Sequence, residues 1–469
     1  MMQRTGFYPR PNVTATGSGS VSQAGSVVLT ETVRAVGLDL ALSTALAPWR
    51  KPLATHDPAK VILDLALGLA VGGDCLADVG LLRGETGVFG LVASDPTVSR
   101  TIAVLAADAP RALKAINTAR ATGRGQAWGL AGERAPGHGA DASGPVIIDI
   151  DATLVTAHSD KDGATPTFKK GYGHHPVWAF LDHGPDGTGE PLGFLLRPGR
   201  AGSNTAADHI TVARDSLAQL PGHRAGRRRG RKVLIRTDAA GATHAFTNWL
   251  CSQRLGYSIG FTLGHDFEDV LALIPDQAWS PAYDADGDPV EFAQVAEVTG
   301  LLDLSGWPPG MRVIIRRERP HAGAQLRITD IDGNRITAFA TNTRAGGPGT
   351  QLADLEARHR KRARAEDRIR CAKDTGLMNL PLYSMGQNAI WCAIVALACE
   401  LTAWLQMLAL PGTARRWEPK KLRLRVFSTA GRLTRSSRRT TLQLPARHPW
   451  TQLILDAVTT LRGLETAPG

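Results

Sequence analysis

The sequence has 469 residues, of which 43% are hydrophobic, and its formal net charge is +11. The hydrophobic fraction excludes a disordered chain, and the length allows two or three domains of roughly 100–200 residues each. The charge indicates a polyanionic partner, with nucleic acid ahead of an anionic membrane. None of the five cysteines forms a Cys-x-x-Cys pair, so the pattern predicts reduced thiols and a cytoplasmic protein without a zinc site.

The first 140 residues predict a helical region behind a polar leader. Residues 1–25 are rich in Gly, Ser and Thr, which predicts a flexible leader without the apolar segment of a signal peptide. Residues 26–140 carry apolar residues at helical spacing, and DNA binding is our functional hypothesis for them. Within them, residues 88–105 fit either a helix-turn-helix or an ordinary pair of core helices. Residues 122–144 are rich in Gly, Ala and charge, which predicts a linker.

Strand periodicity begins near residue 145 and continues to residue 275. Three strands come first, followed by a helix, a strand, a helix and a strand, and this order predicts a mixed α/β layer fold. In chain order these elements are Val146–Asp151, Val177–Asp182, Leu192–Leu196, Asn204–Ala218, Lys232–Asp238, His244–Leu255 and Ser258–Leu263.

A β-rich insertion is predicted at residues 276–350 because short β-like runs replace the α/β pattern there. Two of those runs are Val313–Arg317 and Gln325–Ile328. Trp279 and Trp307 flank or lie within this region, and core packing is favoured over stacking on a displaced base.

Helices return at residues 351–412, which begin with the charged helix Gln351–Lys373. The next, Ala389–Leu410, predicts a buried helix rather than a membrane span, because Glu400 and Gln406 interrupt its apolar run. Residues 413–469 form a basic C-terminal tail. Two segments of the tail alternate as a half-exposed strand pair would: Lys421–Phe427 and Arg439–Leu444.

The acidic ends of two predicted strands are candidate metal ligands. Asp149 and Asp151 end the first, and Asp238 ends the fourth. Two-metal phosphodiester cleavage needs several carboxylates converging on ions about 4 Å apart, and hard ions such as Mg²⁺ prefer oxygen ligands. A single strand-end Asp is more often a cap or turn residue, so each end is a weak signal alone. Asp149 and Asp151 lie on the same face of the strand, so the pattern does not choose between them.

The charged helix supplies a third carboxylate between cations. His359, Arg362, Glu366 and Lys373 fall on one stripe about 60° wide on an ideal helix. Glu366 could complete a metal site while Arg362 and Lys373 contact flanking phosphates. The alternative is a solvated helix stabilised by pairs four residues apart.

The spacing H-(2)-R-(3)-E-(6)-K resembles the Y-(2)-R-(3)-E-(6)-K signature of bacterial insertion-sequence DDE transposases, of the DDE domain group 1 type. Residues 146–410 carry the resemblance, with weaker similarity outside them. His359 departs from the family's tyrosine, which implies a softened DNA contact at that position. Four further segments match in order: Asp149–Leu154, Lys170–Pro176, Arg197–Thr205 and Arg236–Gly241.

The resemblance implies an RNase H-like mixed sheet with flanking helices and a β-rich insertion before the last catalytic acid. It implies Asp151, Asp238 and Glu366 as the catalytic acids, holding two Mg²⁺ or Mn²⁺ ions, with Asp149 as the rival first ligand. His359, Arg362 and Lys373 would bind DNA. The activity implied is cleavage at insertion-sequence ends and strand transfer into target DNA, by a homodimer on paired ends near the bacterial nucleoid. The alternatives are a nuclease without strand transfer and an inactive DNA-binding relative.

Basic clusters fit a double-stranded DNA partner, because Lys and Arg contacts to phosphate give affinity independent of sequence. The alternative for each cluster is a solubilising surface. His174 and His175 have no partner at metal-ligand spacing, which predicts a structural role or at most a phosphate contact. The DNA-binding candidates in these clusters are Lys169, Lys170, Arg227, Arg228, Arg229 and Arg231.

Overall fold

The computed structural model of the protein describes residues 19–465, except residues 225, 265–266, 321–322, 324–329 and 437–438. The described N-terminal part begins with a two-residue strand and continues as helices. These elements are β1 (Ser20–Val21), α1 (Val27–Ala35), α2 (Leu38–Leu46), α3 (Pro58–Val71), α4 (Gly80–Arg83), α5 (Thr86–Phe89), α6 (Asp95–Ala106) and α7 (Ala109–Ala131).

The middle of the chain alternates strands and helices, with a small three-stranded sheet after the first long strand. The elements are β2 (Val146–Ala152), β3 (Val155–Thr156), β4 (Thr165–Pro166), β5 (Tyr172–His174), β6 (Val177–Leu181), β7 (Glu190–Leu195), α8 (Ala206–Gln219), β8 (Val233–Thr237), α9 (His244–Ser252) and β9 (Gly256–Phe261).

The last part contains the insertion, three helices and an ordered tail. Its elements are α10 (Phe267–Ala272), β10 (Ser280–Tyr283), β11 (Pro289–Glu297), β12 (Arg312–Glu318), β13 (Asp330–Ile331), β14 (Asn334–Thr341), α11 (Leu352–Arg360), α12 (Arg364–Ala372), α13 (Met385–Ala409), α14 (Pro419–Leu422), β15 (Gly431–Ser436), β16 (Arg439–Gln443) and α15 (Thr451–Glu465).

The central sheet has the strand order of an RNase H-like fold at one end. Its order is β10-β11-β12-β14-β9-β8-β2-β6-β7, and β13 pairs with β14 outside this path. Strand β2 is antiparallel to β6 and parallel to β8, and β8 is parallel to β9. The insertion strands continue this sheet, because β14 pairs antiparallel with β9. The predicted β-rich segment is therefore an extension of the central sheet.

One helical core joins the two ends of the chain. The N-terminal helices, α13 and α15 bury their apolar side chains in a single cluster, and α1 packs on α15. Helix α13 is long and apolar enough to cross a membrane by composition, but 89% of its most apolar window is buried inside the protein. The predicted basic tail thus ends in a helix that completes the N-terminal core.

Several local predictions are wrong. The predicted linker at residues 122–144 is largely helical, because α7 runs to Ala131. Residues 19–25 are ordered, since β1 pairs with β15, whereas residues 1–18 lie outside the described residues. Segment Lys421–Phe427 is helical, while β16 confirms the strand predicted at Arg439–Leu444. The predicted strand Gln325–Ile328 lies outside the described residues.

The helix-turn-helix hypothesis is not supported by the described helices. Helix α5 is a single turn of four residues. On α6, Val98, Ile102 and Leu105 are fully buried in the helical core. Residues 88–105 therefore match the alternative of ordinary core packing.

A buried ion-pair network connects the helical region to the central sheet. Arg120 and Arg124 of α7 meet Glu190 of β7 and Glu400 of α13, and all four side chains are 0% exposed. Arg120 Nη2 lies 2.7 Å from Glu400 Oε1, and Arg124 Nε lies 3.0 Å from Glu190 Oε2. Arg124 also pairs with Glu400. Burial would raise the pKa of Glu190, but Arg124 and His183 outweigh it and lower that pKa to about 2.

Candidate active site

Two adjacent parallel strands bring the first two predicted acids together. The last paired residues of β2 and β8 are Ile150 and Thr237, and Asp151 and Asp238 come directly after them. The carboxyl ends of neighbouring parallel strands meet at one edge of the sheet, so the two side chains share that edge. Asp238 is held in place because its carboxylate accepts a hydrogen bond from the Ala240 amide at 3.0 Å.

The third acid comes from the helix that follows the insertion. The predicted helix Gln351–Lys373 is two helices, α11 and α12, joined by a 3₁₀ turn at Lys361–Ala363. Glu366 lies in the first turn of α12 and its side chain is 69% exposed. Arg362 of this turn and Glu366 remain in contact, as the predicted stripe requires of that pair.

The electrostatics of Asp151 show that the three carboxylates are neighbours. Burial, together with the negative charges of Asp238 and Glu366 and against the opposing charge of Arg362, raises the pKa of Asp151 to about 6. Arg362 Nη1 lies 3.4 Å from Asp151 Oδ2, and Arg362 Nη2 lies 3.9 Å from Glu366 Oε1. A guanidinium thus stands between two of the acids.

The donor set suits hard divalent ions. Three carboxylates, one of them half-buried and repelled by the other two, form a pocket of negative charge that a divalent cation would neutralise. The oxygens of the three acids do not all lie within 4.8 Å of one another in the described structure. Two bound ions about 4 Å apart do not require such close carboxylates, because each carboxylate need only reach one of the ions.

A tighter acidic group exists elsewhere and has a local explanation. Among the described residues, Asp74, Cys75 and Asp78 place ligand atoms within 4.8 Å of one another. The Asp78 carboxylate accepts hydrogen bonds from the amides of Asp74 at 2.7 Å and Cys75 at 3.0 Å. It therefore caps a turn in the helical region, remote in the chain from the three predicted acids.

Asp149 lies beneath the site in a buried ion-pair cluster. Its side chain is 0% exposed, and its oxygens pair with Arg236 at 2.6 Å and Arg368 at 3.0 Å. Asp182 joins the same two arginines and Arg364. Burial would raise the pKa of Asp182, but the three arginines hold it well below its usual range. Asp149 and Asp151 lie on the same face of β2, but arginines already balance the charge of Asp149, the more deeply buried of the two.

The raised pKa of Asp151 predicts a pH-dependent stability. Its pKa rises from 3.8 to about 6 on folding, so the folded state binds the extra proton, and stability falls as the pH rises from about 4 through 6. A pKa rise of that size means that the folded environment disfavours the ionised Asp151 carboxylate by about 3 kcal/mol. We expect metal-free Asp151→Asn protein to match the wild type near pH 4 and to be about 1–3 kcal/mol more stable at pH 7.5.

Denaturant unfolding at the two pH values, in EDTA, checks this prediction. Added Mg²⁺ should stabilise the wild type at pH 7.5 and leave Asp151→Asn unchanged, because a ligand that binds only the folded state raises its stability. Equal stabilities of the two proteins at both pH values would contradict the proposed environment of Asp151.

The structure places His359 against the sheet. Its ring stacks on Phe339, with centroids 4.6 Å apart and planes 7° apart, and Nδ1 lies 2.9 Å from the Ser258 hydroxyl. Burial, together with the charges of neighbouring arginines, of which Arg362 has the largest effect, lowers the pKa of His359 to about 3. His359 is therefore neutral, and any contact that it makes with DNA would be a hydrogen bond without charge.

Two of the predicted lysines are electrostatically coupled, and one of them bonds to the segment that follows β2. Lys373 donates to the Leu154 carbonyl at 3.0 Å, three residues beyond Asp151. Burial lowers the pKa of Lys373, and the charge of Lys169 lowers it further, so the two ammonium groups are neighbours. Lys169 and Lys170 lie exposed at the tip of the β4–β5 hairpin, next to the exposed ring of Phe168. Sequence analysis did not single out Phe168, which has no spacing signal.

The arginines before β8 lie at the other end of the sheet. They precede the strand whose far end carries Asp238, and five strand residues span roughly 17 Å. Arg229 donates to the Leu220 carbonyl at 2.8 Å, and Arg231 to the Asn342 carbonyl at 2.6 Å. Arg227 and Arg228 are exposed. Proximity to β8 in sequence therefore does not bring these arginines to the acids.

The remaining aromatic and histidine predictions concern packing. Trp279 is 9% exposed and Trp307 stacks on His244 with centroids 4.2 Å apart, as core packing requires. His174 and His175 are buried and hydrogen-bond to the carbonyls of Asp162 and Ala201. What sequence analysis missed is the arginine cluster around Asp149 and Asp182. The only signal was an Arg within a buried strand, at Arg236.

Comparison with known proteins places the chain in a family. No curated protein matches the sequence. A solved structure of the piggyBac transposase synaptic complex with hairpin DNA is similar, with 9% identity, 96% of this chain and 82% of that chain covered, and a TM-score of 0.38. The family model described as "Transposase DDE domain group 1" matches residues 3–466. The protein is therefore a member of the DDE domain group 1 family of transposases.

Proposed function

We propose that this transposase cleaves DNA at the ends of its own element and joins those ends to target DNA, with two Mg²⁺ or Mn²⁺ ions held by Asp151, Asp238 and Glu366. The observation that carries the proposal is the half-buried Asp151 carboxylate, which Asp238 and Glu366 both repel. Clustered negative charge is costly to a fold and is favoured where a cation is to bind.

The ions would generate a nucleophile at neutral pH and neutralise the charge on the leaving oxygen. Asp151 has to lose its proton before it can serve as a ligand. Asp149 acts through Arg236 and Arg368, which fix β2 and α12 so that Asp151 and Glu366 face each other. We therefore assign Asp149 a positioning role.

Cations beside the acids would hold the DNA. Arg362 contacts Asp151 and Glu366, and once ions balance those charges its guanidinium is available to a phosphate. Lys373 donates to the Leu154 carbonyl, three residues after Asp151 in the chain, the charge of Lys169 lowers the pKa of Lys373, and Lys170 is exposed on the same hairpin as Lys169. These residues supply affinity for double-stranded DNA that falls with salt. The homodimer on paired ends and the location at the nucleoid remain predictions from the resemblance.

A strand-transfer assay tests the proposed function. The substrates are a duplex of the DNA that flanks the reading frame, supplied either uncut or pre-cleaved at the element end, and a supercoiled plasmid as target. We expect joined product in Mg²⁺ or Mn²⁺ and none in EDTA. Cleavage of uncut substrate without joining would identify a nuclease, and binding without either reaction would identify an inactive relative. Either of these results would overturn the proposal.

A further inference from the structure

At the end of the sheet opposite the acids, three arginines from separate segments line one cavity. Arg231 precedes β8, Arg254 follows α9, and Arg344 follows β14. The cavity has a volume of about 440 Å³, and no Asp or Glu lines it among the described residues. In the part of the chain that the structure describes, none of these arginines forms an ion pair with a carboxylate. The three positive charges are therefore uncompensated.

Hydrogen bonds fix the segments that carry the three arginines. The Asn342 side chain accepts a hydrogen bond from the Tyr257 amide at 3.0 Å and donates one to the Leu255 carbonyl at 2.9 Å. These bonds join the end of β14 to the start of β9, and so hold Arg344 beside Arg254. Arg231 is oriented by its bond to the Asn342 carbonyl. Positively charged hydrogen-bond donors that are held in place bind an anion better than mobile side chains do.

Arg254 occupies a backbone position that favours glycine. Its φ is 59°, in the left-handed region. The Arg254 amide bonds to the Cys251 carbonyl at 2.9 Å and the Leu255 amide to the Leu250 carbonyl at 3.0 Å. This is the Schellman ending of a helix, where glycine usually stands because it has no Cβ. An arginine at this position therefore carries a local backbone cost that glycine would avoid.

We propose that Arg231, Arg254 and Arg344 form a second DNA-backbone site, which binds phosphates of double-stranded DNA away from the cleavage point. The five residues of β8 separate it from Asp238 by roughly 17 Å. Phosphates along one strand are about 3.4 Å apart, so the site meets DNA about five base pairs or more from any phosphate at the acids. The inference rests on the proposed function only in taking DNA as the ligand.

Arg254→Gly separates binding from folding. Glycine suits the backbone at this position, so we expect the melting temperature to stay the same or to rise. Binding to a random-sequence 40-base-pair duplex, measured by fluorescence anisotropy in EDTA, should weaken roughly three- to tenfold. The slope of log affinity against log salt should fall by about one, as expected when one phosphate contact is lost.

Leu53→Gly is the matched control. Leu53 is fully exposed and has the same φ of 59°. Its replacement by glycine therefore relieves the same backbone strain without removing a charge. It should leave DNA affinity unchanged. Arg344→Ser, at an exposed loop position, should repeat the loss of affinity and slope if Arg254→Gly fails to fold.

An unchanged affinity and slope in folded Arg254→Gly protein would overturn the proposal. A lower melting temperature of Arg254→Gly with unchanged DNA affinity would also overturn the proposal, because Arg254 would then serve only to stabilise the carboxyl end of α9. The assay contains no metal and measures no cleavage. Its outcome is therefore independent of whether Asp151, Asp238 and Glu366 are catalytic.

Discussion

Replacing Asp151 by Asn is expected to reduce DNA cleavage by at least about a thousandfold, because catalytic groups that act as one unit lose most of their effect when any one is removed. Asp238→Asn and Glu366→Gln should cause losses of the same order. All three variants should keep their affinity for DNA in EDTA, since the cations that would hold DNA remain. Single-turnover cleavage at saturating protein, in Mg²⁺ and in Mn²⁺, measures the effect.

Asp367→Asn is the control for the third acid. Asp367 adjoins Glu366, its side chain is equally exposed at 69%, and it pairs with Arg370 on the protein surface. Its replacement should leave cleavage within about twofold of the wild type, because exposed pairs contribute little. If Asp367→Asn lost activity and Glu366→Gln retained it, the assignment of the third acid would be wrong.

Asp149→Asn distinguishes the two candidate first acids by stability. Removing one charge from a buried, hydrogen-bonded cluster is expected to cost about 3–5 kcal/mol, whereas Asp151→Asn stabilises the metal-free protein at pH 7.5. Mg²⁺ should still stabilise folded Asp149→Asn protein. If Mg²⁺ no longer stabilised Asp149→Asn but still stabilised Asp151→Asn, Asp149 would be the metal ligand.

Replacing Glu400 by Ala is expected to destabilise the protein by about 3–5 kcal/mol. Glu400 pairs with both Arg120 and Arg124, and all three side chains are 0% exposed. Without the carboxylate, two buried guanidinium groups lose a partner where water cannot replace it. The free energy of unfolding in urea, monitored by tryptophan fluorescence, measures the loss.

Glu133→Ala is the comparison for Glu400→Ala. Glu133 is exposed just after α7, and its replacement should change stability by no more than about 0.5 kcal/mol. A loss below about 1 kcal/mol in Glu400→Ala would contradict the view that this network joins the helical region to the catalytic sheet.

Periodicity predicted the mixed α/β half of the fold because its elements are strongly patterned, and the resemblance implied the RNase H-like topology. The strands that lead to Asp151 and Asp238 begin with apolar runs, Val146–Ile148 and Val233–Ile235, as expected for parallel strands covered on both faces. The order of strands and helices then restricts the topology. What periodicity could not show was that the insertion strands extend the same sheet, because strand pairing between distant segments leaves no local signal.

The tail and the linker were mispredicted because tertiary packing outweighs local preference. Lys421–Phe427 alternates like a strand, but Leu422, Val426 and Phe427 are buried together by helical turns against the N-terminal core. Glycines at residues 123–129 favoured a linker, yet Gly123 allows α7 to pack closely on Trp404. A helix stabilised by burial tolerates the propensity cost of such glycines.

The candidate site was predictable only in part. Asp238 and Glu366 were candidates from a strand end and a spacing signature, but Asp149 and Asp151 lie on the same strand face, and only their depth distinguishes them. That depth depends on Arg236 and Arg368, which come from another strand and a helix after the insertion. The arginines of the second cavity also converge from three separate segments, so no sequence window contains them.

The most direct test of the central claim is the anomalous diffraction of Mn²⁺ in crystals of the protein with a DNA end. We predict two manganese peaks about 4 Å apart, contacted by Asp151, Asp238 and Glu366. Manganese bound at Asp149, or at Asp74 and Asp78, with none at the three acids, would contradict it.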